Sequence, residues 1–188
     1  MRPRFLLLVA AGLLFPVLAS PATPAGWYLA GSDPASFQTS RDPAVTHDGK
    51  KSASLESTRT PRGFGTLMQS FDAKDYLGKR LRLTAWVKAA DVRDWAGVWM
   101  RVDGSGTKSL AFDNMENRPI KGTKAWTRCD IVLDVAENAT GIAFGILLSG
   151  EGKVWISDIG FQVVDKSVPV TSSVGAASPE PKNLDFDQ

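Results

Sequence analysis

The chain has 188 residues, with 22 basic and 20 acidic side chains, one histidine and one cysteine. A single His and a single Cys argue against a zinc site, which needs several such ligands, and a lone Cys rules out an internal disulfide. The near-balanced charge offers no basic face for nucleic acid or for an anionic membrane surface.

The first nineteen residues read as an address. Met-Arg-Pro-Arg is a basic opening, Phe5 to Leu18 is apolar, and Val17-Leu-Ala19 presents small or aliphatic residues for cleavage. This is the pattern of a secretory signal peptide over residues 1–19, with Ala22 and Ala25 as alternative ends. The apolar run is short for a membrane-spanning helix and is broken by Pro16. No membrane insertion is expected once it is cleaved, and a secreted or periplasmic product is. Arg2 and Arg4 lie inside it, so its loss cancels the formal charge of +2. The remainder suits one domain with a sizeable core, and six Trp and nine Phe supply large side chains to bury.

Residues 20–26 read as a linker, and structure is expected to begin at Trp27. Gly31-Ser-Asp-Pro34 has turn chemistry. A short strand is expected over Phe37–Arg41 and a loop over 42–51, with Asp48-Gly49 as its turn. Further strands are expected at Ser52–Ser57 and Phe64–Phe71. Arg80–Lys88 alternates: Leu81, Leu83, Ala85 and Val87 face one way, and Arg82, Thr84, Trp86 and Lys88 the other. Gly97–Asp103 repeats this, with Val98, Met100 and Val102 against Trp99 and Arg101. Ser109–Phe112 and Trp126–Val135 follow, the latter with Cys129, Ile131 and Leu133 on one face. Ile142–Gly150 and Lys153–Phe161 form a hairpin about Ser149–Gly152. Only Ala73–Leu77 and Asp91–Trp95 suit single helical turns. Many short strands at near-regular spacing predict an all-β, single-domain sandwich of two antiparallel sheets. After residue 165, Val168–Pro181 is rich in Pro, Ser and Ala and reads as a flexible linker over 166–182. An apolar alternation, Leu184 and Phe186, then closes the chain at 183–188.

Candidate binding residues come from the outer strand faces. An aromatic ring beside a cation on one face suits a sugar: the ring stacks on apolar ring faces and the charge bonds hydroxyls. Two such pairs occur, Trp86 with Lys88 and Trp99 with Arg101. The competing reading packs both Trp residues inside the sandwich. Phe112–Pro119 is the densest polar stretch after a strand, and Asp113, Asn114 and Arg118 are candidates for a loop rim; the alternative is a turn in which Asp and Asn bond local backbone. No catalytic residue is assigned. A glycosidase needs two carboxylates across a cleft, and the scattered acids point to no pair. A Cys129–His47 nucleophilic pair lacks support, and Cys129 reads as a small apolar strand residue.

Several segments resemble one family in order along the chain. His47-Asp-Gly-Lys followed by Ser52-Ala-Ser-Leu, Arg80–Lys88, Thr123-Lys-Ala-Trp126 with the Cys129–Val135 strand, and the closing hairpin with Lys153-Val-Trp-Ile-Ser-Asp-Ile-Gly-Phe161 are similar to carbohydrate-binding jelly rolls of the galactose-binding-like type. The resemblance covers residues 27–165 and implies a jelly roll and a carbohydrate or glycan ligand. It also implies a structural calcium near Asp158, which needs about six to eight oxygens and so partners from elsewhere. Gly26–Pro34, Gly63–Gln69, Trp95–Asp103 and Phe112–Met115 with Arg118–Gly122 resemble a group of bacterial proteins, some labelled as arabinose-type (AraC) transcriptional regulators. This chain has no helix-turn-helix pattern, so that resemblance implies at most a sensory module. Asn183-Leu-Asp-Phe-Asp187 resembles the opening strand of the jelly rolls, displaced to the end of the chain, which implies that residues 183–188 return across the domain as an edge strand; the alternative is a disordered tail. The expected function is an exported, non-catalytic glycan-binding module, with a structural or protein-interaction domain of the cell envelope as the alternative.

Overall fold

A computed structural model describes residues 23–106 and 109–171. The expected signal peptide and the closing 183–188 segment lie outside the described residues. Among the described residues the chain forms nine antiparallel strands in one curled sheet. They are β1 (Tyr28–Gly31), β2 (Phe37–His47), β3 (Lys50–Ser57), β4 (Phe64–Asp72), β5 (Arg80–Asp103), β6 (Ser109–Asp113), β7 (Ile120–Asp134), β8 (Gly141–Ser149) and β9 (Lys153–Val164). The fold is the expected all-β jelly-roll sandwich.

Strand β5 is the hinge of the fold. It runs for 24 residues through both layers. Its first part, Arg80–Ala90, lies between β7 and β9, and β9 continues to β3 and β2. Its last part, Trp95–Asp103, pairs β8 and then β6 at its end, and β8 continues to β4 and β1. The sheet therefore divides into a first leaf, β2-β3-β9-β5-β7, and a second leaf, β1-β4-β8-β5-β6. The expected helical turn at Asp91–Trp95 is instead this corner. Asp91 takes a φ of 52° and the register with β7 slips on either side of Val92. A local kink within a strand, not helical hydrogen bonding, turns the chain.

The core lies between the leaves. Leu81, Leu83, Ala85, Val87 and Ala89 alternate inward from the first leaf, and Val98, Met100 and Val102 from the second. Strand β8 adds Ile142, Ile146 and Leu148, all fully buried. At one end Phe144 meets Trp27, Phe71 and Phe161 edge-to-face, with centroids 5.3, 5.9 and 4.9 Å apart. Such tilted pairs suit the ring quadrupoles.

Two expectations need correction in extent. The loop expected at 42–51 is largely strand: β2 and β3 form a hairpin whose turn is Asp48-Gly49 alone. Both residues have positive φ, 46° and 76°, which is the tight two-residue turn that Asp-Gly favours. The strand expected from Trp126 begins at Ile120. The turn expected at Ala73–Leu77 is present, as a 3₁₀ turn over Lys74–Tyr76.

Candidate functional site

The outer face of the second leaf carries a trough. On β5, Trp99 and Arg101 point away from the core because Val98, Met100 and Val102 point into it. Trp99 is directly opposite Gly145 of β8, and Gly145 is opposite Met68 of β4. Arg101 is opposite Ala143. These small residues leave space across β8. The Trp99 indole fills it, reaching over β8 so that its Nε1–H donates to Thr66 Oγ1 of β4 at 2.7 Å. The Thr66 hydroxyl in turn donates to the Ile146 carbonyl at 3.0 Å. Leu147 and Ala143 pack with this indole, and Phe64, Met68 and Phe112 border the cluster.

Trp99 is consequently a floor more than a free platform, with 6% of its surface exposed. Above it lies a cavity of about 290 Å³ whose lining includes Phe64, Met68, Trp99, Phe112 and Leu147. Arg101 lines this cavity and also an adjoining polar cleft of about 680 Å³ with Ser70, Asp72, Asp103 and Ser109. Its Nε donates to Asp103 Oδ1 at 2.7 Å and its Nη2 to Asp103 Oδ2 at 3.1 Å. The pair is two-pronged and half exposed. It leaves net charge near zero where the apolar and polar parts meet, while presenting both donors and acceptors.

Trp86 and Lys88 lie on the other outer face, that of the first leaf. The His47 ring stacks on Trp86 at 4.1 Å and 22°, and Trp126 meets His47 edge-on at 5.5 Å. The Asp48-Gly49 hairpin tip thus lays an imidazole over Trp86. Lys88 Nζ stands 5.5 Å from the centre of the Trp155 ring, and Lys153 Nζ 5.0 Å. The Trp155 Nε1–H donates to Asp42 Oδ2 at 2.9 Å, which holds the Asp42 carboxyl below its ordinary range. These side chains are largely occupied with one another.

Asp113, Asn114 and Arg118 form a third location, the corner between β6 and β7. Asp113 has no exposed surface. Its carboxylate accepts two bonds from the Arg118 guanidinium, at 2.6 and 3.1 Å, and one from the Met115 amide at 2.9 Å. Arg118 also donates to the Asp130 and Thr171 carbonyls at 3.3 and 3.4 Å. Asn114 Oδ1 accepts from the Glu116 amide at 3.1 Å. This is a clasp, in which each polar group is spent on local structure. Asp158 is bonded by Lys50 and faces His47 Nδ1 at 3.7 Å; among the described residues no group of three His, Cys, Asp or Glu side chains is placed to hold a metal. Cys129 is buried, and burial pushes its thiol up to about 12.

The seven binding candidates are therefore split over three places, and only Trp99 and Arg101 share an open cavity. Thr66, Met68, Phe112 and Asp103 of the trough were not singled out from the sequence. Thr66 and Met68 alternate on β4, and a signal for them existed in that alternation, but their meeting with Trp99 depends on strand order.

Comparison with known proteins bears on this architecture. No family model matches the chain. A xylan-binding CBM22-1 domain from Paenibacillus barcinonensis Xyn10C superposes with a TM-score of 0.53 at 11% identity, over 76% of this chain and 88% of that one. TmCBM61, solved with β-1,4-galactotriose, gives 0.50 at 12% identity over 74% and 90%. The chain has the fold of carbohydrate-binding modules. The enzymatically active domain of tailspike protein 4 from bacteriophage CBA120 contains a similar unit, with a TM-score of 0.59 at 14% identity, over 74% of this chain but 20% of that one. In sequence, YbfP of Bacillus subtilis (strain 168), named an uncharacterized HTH-type transcriptional regulator, is 47% identical over 167 residues, which is 87% of this chain. The chain spans 57% of that protein's length.

Proposed function

We propose that this protein is an exported, non-catalytic module that binds a carbohydrate in the trough on the outer face of the second leaf. The observation that carries the reading is the junction at Arg101. There an apolar floor of Trp99, Phe112 and Met68 meets a polar cleft, with a neutralised Arg101–Asp103 pair between them. A sugar has apolar C–H faces and a girdle of hydroxyls that donate and accept. Apolar walls beside a few placed polar groups are the usual form of a small-ligand site. The fold supports the same reading, since xylan-binding and galactotriose-bound modules share it. A screen of residues 20–188 against a glycan array, followed by titration of the best binder, is expected to yield a neutral glycan whose affinity falls at least tenfold in Arg101→Ala. Absence of any bound glycan would overturn the reading. Export rests on residues 1–19, and N-terminal sequencing of protein recovered outside the cytoplasm is expected to begin near Ser20.

A second reading is favoured by the 47% identity to a protein named as a transcriptional regulator. In it the same trough senses a small saccharide as a module of a larger signalling protein. The glycan screen separates the two: a polymer-only preference supports anchoring to a polysaccharide, whereas tight binding of mono- or disaccharides supports sensing.

A further inference from the structure

The floor of the trough offers little to a hydroxyl group. Beneath the cavity, β4 pairs with β1 and β8, and β8 with β4 and β5, so their backbone N–H and C=O groups are bonded within the sheet. The polar side-chain groups of the floor are bonded too. Thr66 Oγ1 holds the Trp99 indole N–H, and the Ile146 carbonyl holds the Thr66 hydroxyl. Both residues are buried. What faces the cavity is the aromatic and aliphatic surface of Phe64, Met68, Trp99, Phe112 and Leu147. Arg101 brings the one charged group among the described lining residues, where the cavity opens into the polar cleft. Its pairing with Asp103 uses Nε and Nη2 and leaves Nη1 without a partner among the described residues.

A pyranose pressed into this cavity would carry hydroxyls on most of its carbons and find Arg101 alone to bond them. Hydroxyls stripped of water without a replacement bond oppose binding, whereas an apolar group gains from the same burial. The lining favours a ring among apolar groups. Phe64, Trp99 and Phe112 come from three strands, and the Trp99 and Phe112 rings stand 6.5 Å apart at 53°. A further ring can meet such walls edge to face, and the Met68 thioether is a favourable neighbour for it. An apolar cavity of about 150 Å³ takes a benzene ring; this one measures about 290 Å³. The adjoining cleft has the opposite character, with Ser70, Asp72, Asp103, Ser109 and Thr140 to donate to and accept from hydroxyls.

We propose that the trough takes a neutral sugar bearing an aromatic substituent, with the ring in the cavity over Trp99 and the sugar in the cleft beyond Arg101. At the junction Arg101 offers its Nη1 donors to the oxygen that links the two. The assignment rests on the trough being the carbohydrate site and narrows it from sugars in general to aryl-substituted ones.

Methyl and phenyl β-D-glycosides of glucose, galactose, xylose and mannose are to be titrated calorimetrically against residues 20–188. For the sugar that binds best, the phenyl glycoside is expected to bind at least about tenfold tighter than the methyl one, as burial of a ring provides. The Trp99 indole N–H resonance, assigned with Trp99→Phe, is expected to move with the phenyl compound. Ala30→Leu builds into the cavity from β1, opposite Thr66, and should bring the phenyl compound down to the affinity of the methyl one. Equal affinity of the two glycosides in the parent protein would overturn the aromatic assignment and leave the carbohydrate reading standing. So would a phenyl advantage that leaves the Trp99 resonance unmoved, since the ring would then lie elsewhere. Failure of every glycoside, together with a blank array, would instead overturn the carbohydrate reading and the aromatic assignment with it.

Discussion

The two outer faces of the sandwich carry the same short sequence pattern and meet different fates. Each leaf displays a Trp two residues before a cation on β5: Trp86 and Lys88 on the first, Trp99 and Arg101 on the second. On the first leaf the β2–β3 hairpin covers the ring with His47, and Trp155 sits near two lysines. On the second leaf the neighbour strand supplies Gly145 and Ala143 opposite the pair, so the indole sinks across β8 and a cavity remains above it. What a neighbouring strand places beside a Trp decides whether that Trp is cladding or the floor of a cavity.

The largest effect is expected where the second leaf is fastened at its corner. Asp113→Ala would leave the Arg118 guanidinium without its buried partner, and loss of one member of such a pair costs about 3–5 kcal/mol. Urea denaturation is expected to show a loss of that order. A loss below about 1 kcal/mol would mean that the clasp does not hold the β6–β7 corner. A smaller but more specific effect is expected from abolishing the space that distinguishes the second leaf. A Cβ at position 145 would lie 2.3 Å from the Leu67 carbonyl oxygen and 3.0 Å from Met68 Cβ. Overpacking of this kind costs about 1–3 kcal/mol. Gly145→Ala should therefore destabilise by that amount and also weaken glycan binding. Unchanged stability and affinity would remove Gly145 from the account.

The first leaf should respond differently. His47→Ala strips the stacked ring from Trp86, and aromatic pairs of this kind contribute about 0.5–1.5 kcal/mol. A modest stability loss and a shift in tryptophan emission are expected, with glycan affinity unchanged. A fall in affinity would place ligand on the first leaf instead. The smallest effect concerns acid. Asp42 is held below its ordinary range chiefly by the Trp155 bond, and Asp134 chiefly by Arg80; both belong to the first leaf. Because their folded-state values are depressed, their stabilisation is present above the usual carboxylate value of about 3.9 and is lost as pH falls below it, through the folded-state values. Trp155 emission is expected to change below about pH 4, and Asp42→Asn should flatten that change.

The strand alternation on β5, β7 and β9 was legible in the sequence because each strand buries one face, and a period of two then marks the inward residues. The sandwich followed from the number and spacing of such segments. The corner at Asp91–Trp95 was not legible, since a kinked strand and a single helical turn share the same short polar composition. The Trp99–Arg101 pairing on one face was readable, but the trough was not. Its remaining walls come from β4, β6 and β8, and strand order is a long-range property that local pattern does not encode. Asp113 and Arg118 looked like a polar rim for a related reason: five residues apart in sequence, they gave no sign that the carboxylate turns inward under a guanidinium.

Ligand is expected to bind the second leaf and not the first. Two substitutions, one of the β5 cation on each outer face, test it against a glycan identified by the array, with affinity measured by calorimetric titration. Arg101→Ala is expected to lower affinity at least tenfold with little change in melting temperature, and Lys88→Ala to leave affinity within about twofold of the parent. The reverse pattern, with binding lost in Lys88→Ala and kept in Arg101→Ala, would contradict the claim.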